Sequence, residues 1–456
     1  MSRGLGQSAA DRADEAAQVD DLIGIGFGPA NLALAIAIDE HNRTGPAQAL
    51  QVRFLEQQER FGWHRGMLLE GATMQVSFLK DLVTMRDPRS RYTFLTYLQE
   101  RGRLADFINQ KSFYPTRLEF HDYLEWCAAQ LTHQAGYGRR VVAVHPVERD
   151  GRVALVDVVS ESVTDPADRR THRARNVVVG TGLKPRLPAG VEAGERVWHT
   201  RDLLFRAPRL TDRPHRRFTV VGAGQSAAEA VEYLYRTFPD AEICAVVGRY
   251  GYSPADDSPF ANRIFDPSAV DEFFGAPDEA KRTLLGQHAN TNYAVVDGDL
   301  IEQLYRTVYQ EKVAGTERLR ILNASRLTGV EPGEDGARAL VRSLTTGEEL
   351  VLESDAVVLA TGYDHVDPRE LLGELAAACV TDAAGRLRVE RDHQLLTADH
   401  IDVGVYLQGG TEHTHGITSS LLSTLAVRAG EICDSLLLRL TGDELRLDEA
   451  AGLAAN

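Results

Sequence analysis

The sequence predicts an α/β fold built from two successive strand–turn–helix units, and three observations predict it. The apolar run Leu22 to Ile25 leads directly into GFGPAN (residues 26–31), and a second run, 218–221, leads into GAGQSA (residues 222–227). Two further apolar strands, 177–182 and 357–363, each end in Thr-Gly about where a chain would cross between units. Glycines at such a strand end let backbone N–H groups approach a pyrophosphate at a helix N-terminus, where unpaired donors and the helix dipole favour an anion. Two loops of this kind imply two Rossmann-like dinucleotide-binding domains.

Taken in order, the first unit runs from Asp20 to about His41, its helix carried by Leu32, Leu34, Ile36 and Ile38. A second strand, 52–55, ends in Glu56, a carboxylate placed to accept bonds from ribose hydroxyls. The connection 61–85 is long and aromatic, and it mixes Trp63, His64, Gln75, Phe78 and Lys80 among apolar residues; long ordered loops of that kind line sites. Helices follow over 94–100 and 117–131, the second opening after Pro115-Thr116. Strands are expected at 141–147 and 153–159, and the polar stretch 160–176 reads as a hairpin end or loop. Residues 211–217, TDRPHRR, read as a linker into the second unit. There the strand 243–247 ends in Gly248-Arg249. A guanidinium suits a 2′-phosphate where an acid would repel it, so the second loop reads as an NADPH site and the first as a site for an unphosphorylated adenosine. The plain alternative for Arg249 is a solvated surface charge.

At 456 residues the chain is too long for one core and implies two or three domains. A formal net charge of −16 argues against nucleic acid and against an anionic membrane as partners. The first 19 residues are polar, and nowhere do about 18 apolar residues run together, so a cytoplasmic protein with a loose N-terminal tail is expected. Cys127, Cys244, Cys379 and Cys433 are dispersed, without a CxxC, and read as unpaired core thiols. His413 and His415 lack further ligands at metal-site spacing, so no metal is assigned. Asp256-Asp257, followed by Ser258-Pro259, reads as turn capping.

The strings MQVSFLKDLVTMRDPRS (74–90), PADDSPFANRIFDP (254–267), HANTNYAVVD (288–297), DAVVLATGY (355–363) and LQGGTEHTHGITSSLLSTLAVR (407–428), with the two glycine loops, resemble the flavin-dependent N-hydroxylating monooxygenases. Within that family they are most similar to the L-ornithine N5-monooxygenases of siderophore and peptide biosynthesis. The resemblance runs from Asp21 to about Ile432. It implies FAD at the first loop and NADPH at the second, with O2 as co-substrate and hydroxylation of a small-molecule amine, L-ornithine favoured, through a C4a-hydroperoxyflavin. By resemblance, Gly26, Gly28, Pro29, Asn31 and Glu56 hold the adenosine half of FAD, and Trp63, His64, Gln75, Thr418 and Ser420 lie at the flavin. Gly222, Gly224, Gln225, Ser226 and Arg249 are implied for NADPH. Lys80 and Asn262 match positions for the amino acid's α-carboxylate end, and Asn292 the position that orients the side-chain amine.

Independent physical readings stand beside these. Lys80 lies in VSFLKDLV (76–83), a charge in apolar company that either snorkels to water or meets an anion. Asn262 and Asn292 read on their own as turn residues. The Gly-Gly turn before Thr418, Ser419 and Ser420 offers caps and free N–H groups that could stabilise a reduced flavin. A general flavin monooxygenase would carry FxGxxxH, whereas the positions ending at His199 hold Ala193 and Glu195. Lysine N6- or diamine (putrescine or cadaverine) hydroxylation and a non-catalytic dinucleotide-sensing role are the alternatives.

The expected organisation is a tail at 1–19, an FAD domain from 20–210 and 355–440, an NADPH domain from 211–256 and 304–354, a small, mostly helical substrate-binding insertion at 257–303, and a loose C-terminal tail at 441–456. The resemblance implies a homo-oligomer, a tetramer.

Overall fold

The computed structural model describes residues 19–45, 49–212, 214–288, 291 and 293–454. Two five-stranded parallel sheets organise the chain. In the first, the strands run in the order Gly404–Leu407, Asn176–Val179, Leu22–Ile25, Val52–Leu55 and Ala135–Gly136. In the second, the order is Val197–His199, Ala356–Leu359, Arg217–Val221, Glu242–Val246 and Leu319–Leu322. Parallel strands covered on both faces need side chains that tolerate burial on either side, so they appear in the sequence as unbroken apolar runs. All four residues of Leu22–Ile25, Asn176–Val179 and Ala356–Leu359 are buried.

Each sheet carries an antiparallel companion. Arg139–Arg149, Arg152–Ser162 and Arg169–Ala174 form one, with Val19–Asp20 added in parallel at its edge. Ser325–Pro332, Ala337–Ser343 and Glu349–Ser354 form the other. The two units are joined by a short antiparallel ribbon, Leu183–Pro185 with Tyr363–His365, whose strands follow the two Thr-Gly ends. Helix Pro29–Thr44 packs against the first sheet and helix Gln225–Thr237 against the second, each starting at the second glycine of its loop.

The structure adjusts several sequence expectations. Val197–His199 and Ala356–Leu359 pair within the second sheet, although 20–210 and 355–440 were grouped with the first. A short apolar strand carries no mark of which sheet it joins. Helix Gly298–Ala314 runs through the boundary drawn at 303/304. The stretch 160–176 contains a true strand, Arg169–Ala174, whose charges are neutralised laterally, Arg173 meeting Asp157 at 2.7 Å. Helix Leu425–Ala454 continues through the segment expected to be a loose tail. The tail 1–18 and Asn292 lie outside the described residues. The expected helices do form, at Phe94–Glu100 and Arg117–Ala129, each capped by a threonine (Thr93, Thr116) accepting from the third residue onward.

Candidate active site

The two glycine loops are built alike. Gly26 N–H donates to Leu55 O at 2.8 Å, and Gly222 N–H donates to Val246 O at 3.1 Å, so each loop is pinned to the neighbouring strand end. Gly26 has φ +86° and a Cβ there would stand 2.4 Å from Gly180 O; Gly222 has φ +151° and a Cβ there would stand 2.4 Å from Ala360 O. In both loops the first glycine is therefore obligatory, because it packs on the Thr-Gly strand end beside it. The second glycines differ. Nothing lies within 4 Å of a Cβ built on Gly28, whereas one on Gly224 would meet Ala294 Cα at 3.3 Å. The first loop is an open cradle facing free helix N–H groups, which suits a pyrophosphate; the second is backed by the end of the insertion.

Around the first loop, Pro29 occupies the first helical turn, where its missing N–H costs nothing. Asn31 is buried and donates to Gly26 O at 2.7 Å, so it latches the loop from behind. Glu56 is buried, one carboxylate oxygen accepting from Phe27 N–H at 2.7 Å and the other from Gln58 N–H at 2.8 Å. Trp63 and His64 meet edge to face at 4.7 Å. His64 has φ +47° and is partly solvent-exposed, but desolvation by the protein around it, then the Arg117 and Arg201 cations, push its pKa down to about 4. It is a neutral imidazole at physiological pH. Its ring faces Tyr363, which also packs on His199. His199 accepts from Arg201 N–H at Nδ1, which fixes the Nε2–H tautomer toward Gly362 O at 2.9 Å.

In the second unit, Gln225 opens the helix after Gly224 and Ser226 follows it. Arg249 is exposed at the end of its strand and donates from Nη1 to Ala294 O at 3.2 Å, leaving its other N–H donors for a ligand. Lys80 places its ammonium 5.6 Å from the Phe265 ring centroid. Burial lowers its pKa, opposed by the charge of Asp266. Phe265 and Asn262 share the turn Ala261–Phe265, so Lys80 and Asn262 come from distant strings to one place. Asn262 spends its amide N–H on Asp257 O at 2.8 Å, as a turn residue does. Ser420 contacts His365 at 3.2 Å, while Thr418 is buried and borders a cavity of about 540 Å³ between the insertion and residues 415–418.

Other side chains here escaped the sequence reading. Arg117 makes a two-point ion pair with Glu229, 2.9 and 2.7 Å, and donates to Met67 O at 2.9 Å, tying the second unit's helix to the 61–85 connection. Asp297 joins Gln75 to Gln225. Its partners lie 222 and 72 residues away in the chain, so nothing local to Asp297 marks the bridge. His415 stacks on His393 at 4.1 Å and is held neutral by burial, its pKa pushed down to about 3. Among the described residues no three His, Cys, Asp or Glu side chains gather as metal donors.

Two glycine loops of one design, on successive parallel sheets joined by the antiparallel ribbon, define a two-dinucleotide oxidoreductase. Residues 18–365 match the family model described as L-lysine 6-monooxygenase/L-ornithine 5-monooxygenase, and the chain belongs to that family. An L-ornithine N(5)-monooxygenase of Burkholderia cepacia is 45% identical over 405 residues, covering 87% of this chain and 90% of that protein. The ornithine N-hydroxylase of Kutzneria sp. 744, solved with reduced FAD, NADP+ and L-ornithine, superposes with a TM-score of 0.88 at 48% identity, over 92% of this chain and 100% of that one. The L-lysine 6-monooxygenase of Pseudomonas syringae gives 0.81 at 34% identity, over 92% and 99%.

Proposed function

We propose that the chain converts L-ornithine to N5-hydroxy-L-ornithine, with bound FAD, NADPH as reductant and O2 as co-substrate. The observation that carries the choice of substrate is the near full-length likeness to ornithine enzymes, at 45% and 48% identity against 34% for the lysine enzyme. FAD, when bound, supplies oxygen activation after reduction by NADPH. The chain's own work is binding, orientation and exclusion of water.

In this reading Gly26, Gly28, Pro29 and the helix N-terminus hold the FAD pyrophosphate, Asn31 fixes the loop and Glu56 takes the adenosine ribose. Trp63, His64, Gln75, Thr418 and Ser420 border the flavin. Gly222, Gly224, Gln225, Ser226 and Arg249 receive NADPH, the guanidinium meeting the 2′-phosphate. Lys80 pairs with the α-carboxylate beside Asn262: its ammonium is half-buried and forms no ion pair among the described residues. Asn292 orients the reacting amine. An amide suits that task, because the amine must be neutral to react and a carboxylate beside it would favour the ammonium form.

The same reading assigns the FAD domain to both chain ends, the NADPH domain between the Thr-Gly crossings and the substrate to the helical insertion. No helix among the described residues is long and apolar enough to cross a membrane. A homotetramer is inferred from the resemblance, and light scattering measures the assembly; the polar N-terminal stretch and the lack of a long apolar run support a cytoplasmic location. The deciding experiment is product mass spectrometry with NADPH and ornithine, lysine, putrescine or cadaverine offered separately. Ornithine gaining one oxygen, in step with NADPH oxidation, is the expected result; preferential oxidation of lysine or a diamine overturns it.

A further inference from the structure

One carboxylate joins the two units beside the cleft. Asp297 ends the segment within the insertion that bridges to Pro254 at Val296 and is the N-cap residue of helix Gly298–Ala314, yet its side chain makes no capping bond. Its two oxygens turn away from the helix. Oδ1 accepts from Gln75 Nε2 at 3.0 Å and Oδ2 from Gln225 Nε2 at 2.8 Å, while Asp297 N–H donates to Gln225 Oε1 at 2.8 Å. Gln225 Nε2 also donates to Glu229 Oε1 at 3.0 Å, so every polar atom of that amide is held. The same strand end passes over the second glycine loop at Ala294, against Gly224 and under Arg249. A carboxylate, with acceptors on both sides and no donor, is the group that can face two amide N–H groups at once.

We propose that Asp297 is a positioning residue for reduction of the flavin, setting the connection that carries Gln75 in register with the glycine loop that carries Gln225. This rests on the function proposed above. In that step a hydride, one proton with two electrons, leaves the nicotinamide of NADPH for the flavin, and NADP+ remains. The two rings must stand about 3–3.5 Å apart, and a misplacement of about 1 Å costs on the order of a hundredfold in rate. The donor's loop and the acceptor's loop belong to different units, and Asp297 bonds both.

The test uses Asp297→Ala and Asp297→Asn, the latter turning one acceptor into a donor that faces another amide N–H. Asp299→Asn, which removes an exposed acid from the same helix turn, controls for helix-end charge. In anaerobic stopped flow, both Asp297 variants should lose about tenfold or more in the limiting rate of flavin reduction, with half-saturating NADPH changed by less than about threefold. FAD content should equal wild type. Enzyme reduced with dithionite, then given NADP+, O2 and ornithine, should form hydroxyornithine at the wild-type yield. On cofactor-free protein, hydrogen exchange should quicken at 72–76 and 223–229 in both variants and not in Asp299→Asn. Wild-type reduction rates, unchanged exchange, or equal losses in the reductive and oxidative halves overturn the assignment. A wild-type enzyme that NADPH does not reduce overturns the proposed function and this role together; a reducible wild type matched by Asp297→Ala overturns this role alone.

Discussion

Gly26 and Gly28 stand two residues apart in one loop, and the structure requires opposite outcomes when each acquires a side chain. At Gly26 the backbone has φ +86°, and a Cβ would lie 2.4 Å from the carbonyl oxygen of Gly180, a backbone atom of a buried strand end. The left-handed conformation costs about 1–2 kcal/mol for an L-residue. Overpacking against a fixed neighbour adds about 1–3 kcal/mol. Gly26→Ala should therefore lose roughly 2–5 kcal/mol, a large part of the 5–15 kcal/mol typical of a domain, and be recovered in low yield with a depressed Tm. At Gly28 the backbone is extended, φ −78° and ψ −174°, and no protein atom lies within 4 Å of the new Cβ. Gly28→Val should cost the fold only about 1 kcal/mol, the penalty of a poor helix cap. Its methyl groups would fill the cradle, so the protein should purify folded and colourless. The assay is the ratio of flavin to protein absorbance beside a thermal melt. A Gly28→Val protein with a full complement of FAD refutes the register of the loop; a Gly26→Ala protein as stable as wild type refutes the packing argument.

Arg249→Ala should raise the KM for NADPH far more than that for NADH, a selective cost of about 1.5–3 kcal/mol for a charge-assisted phosphate contact; equal effects would place the 2′-phosphate elsewhere. Lys80→Ala should weaken ornithine by about thirtyfold or more, 2–4 kcal/mol, without slowing flavin reduction by NADPH; an unchanged KM for ornithine in steady-state hydroxylation would remove the carboxylate contact. Although burial alone would raise it, the pKa of Glu431 is pulled down to about 2 by His393, whose Nε2 stands 3.4 Å away, and by two bonds from Arg391 at 2.8 Å. Its contribution is complete above pH 4.5, the ordinary value, and is lost as the pH falls toward 2. Glu431→Gln should thus be less stable than wild type at pH 7, by up to about 3 kcal/mol, and the two melting curves should converge in acid; a constant difference down to pH 2 would contradict this.

What the sequence revealed followed from steric necessity. The first glycine of each loop could be found because nothing else fits against Gly180 or Ala360, and the parallel strands could be found because burial on both faces forbids alternation. Thr116 marked its helix through a local bond three residues on. Concealed were the features made across long sequence separations. Arg117 and Glu229 lie 112 residues apart, and Gln75 and Asp297 lie 222 apart; each of these residues has an ordinary local explanation as a surface charge, a polar loop residue or a helix cap. The sheet membership of Val197–His199 was equally silent, since its neighbour Ala356–Leu359 arrives only after the whole second unit has been laid down.

The two Thr-Gly crossings do two things at once. Gly180 and Ala360 present the carbonyl oxygens that force glycine at positions 26 and 222, and a few residues later the same chains become the ribbon Leu183–Pro185 with Tyr363–His365 that joins the units. The cofactor loops and the joint are therefore continuous backbone, so a shift of either loop along its strand would be felt at Tyr363, where His64 and His199 pack. The second glycines break the symmetry. A Cβ built on Gly28 meets no protein atom within 4 Å, whereas one on Gly224 meets Ala294, in the segment that ends at Asp297. The second loop thus rests on the segment that ends at Asp297, and under the proposed assignment a shift of that segment would reach the loop that would hold NADPH.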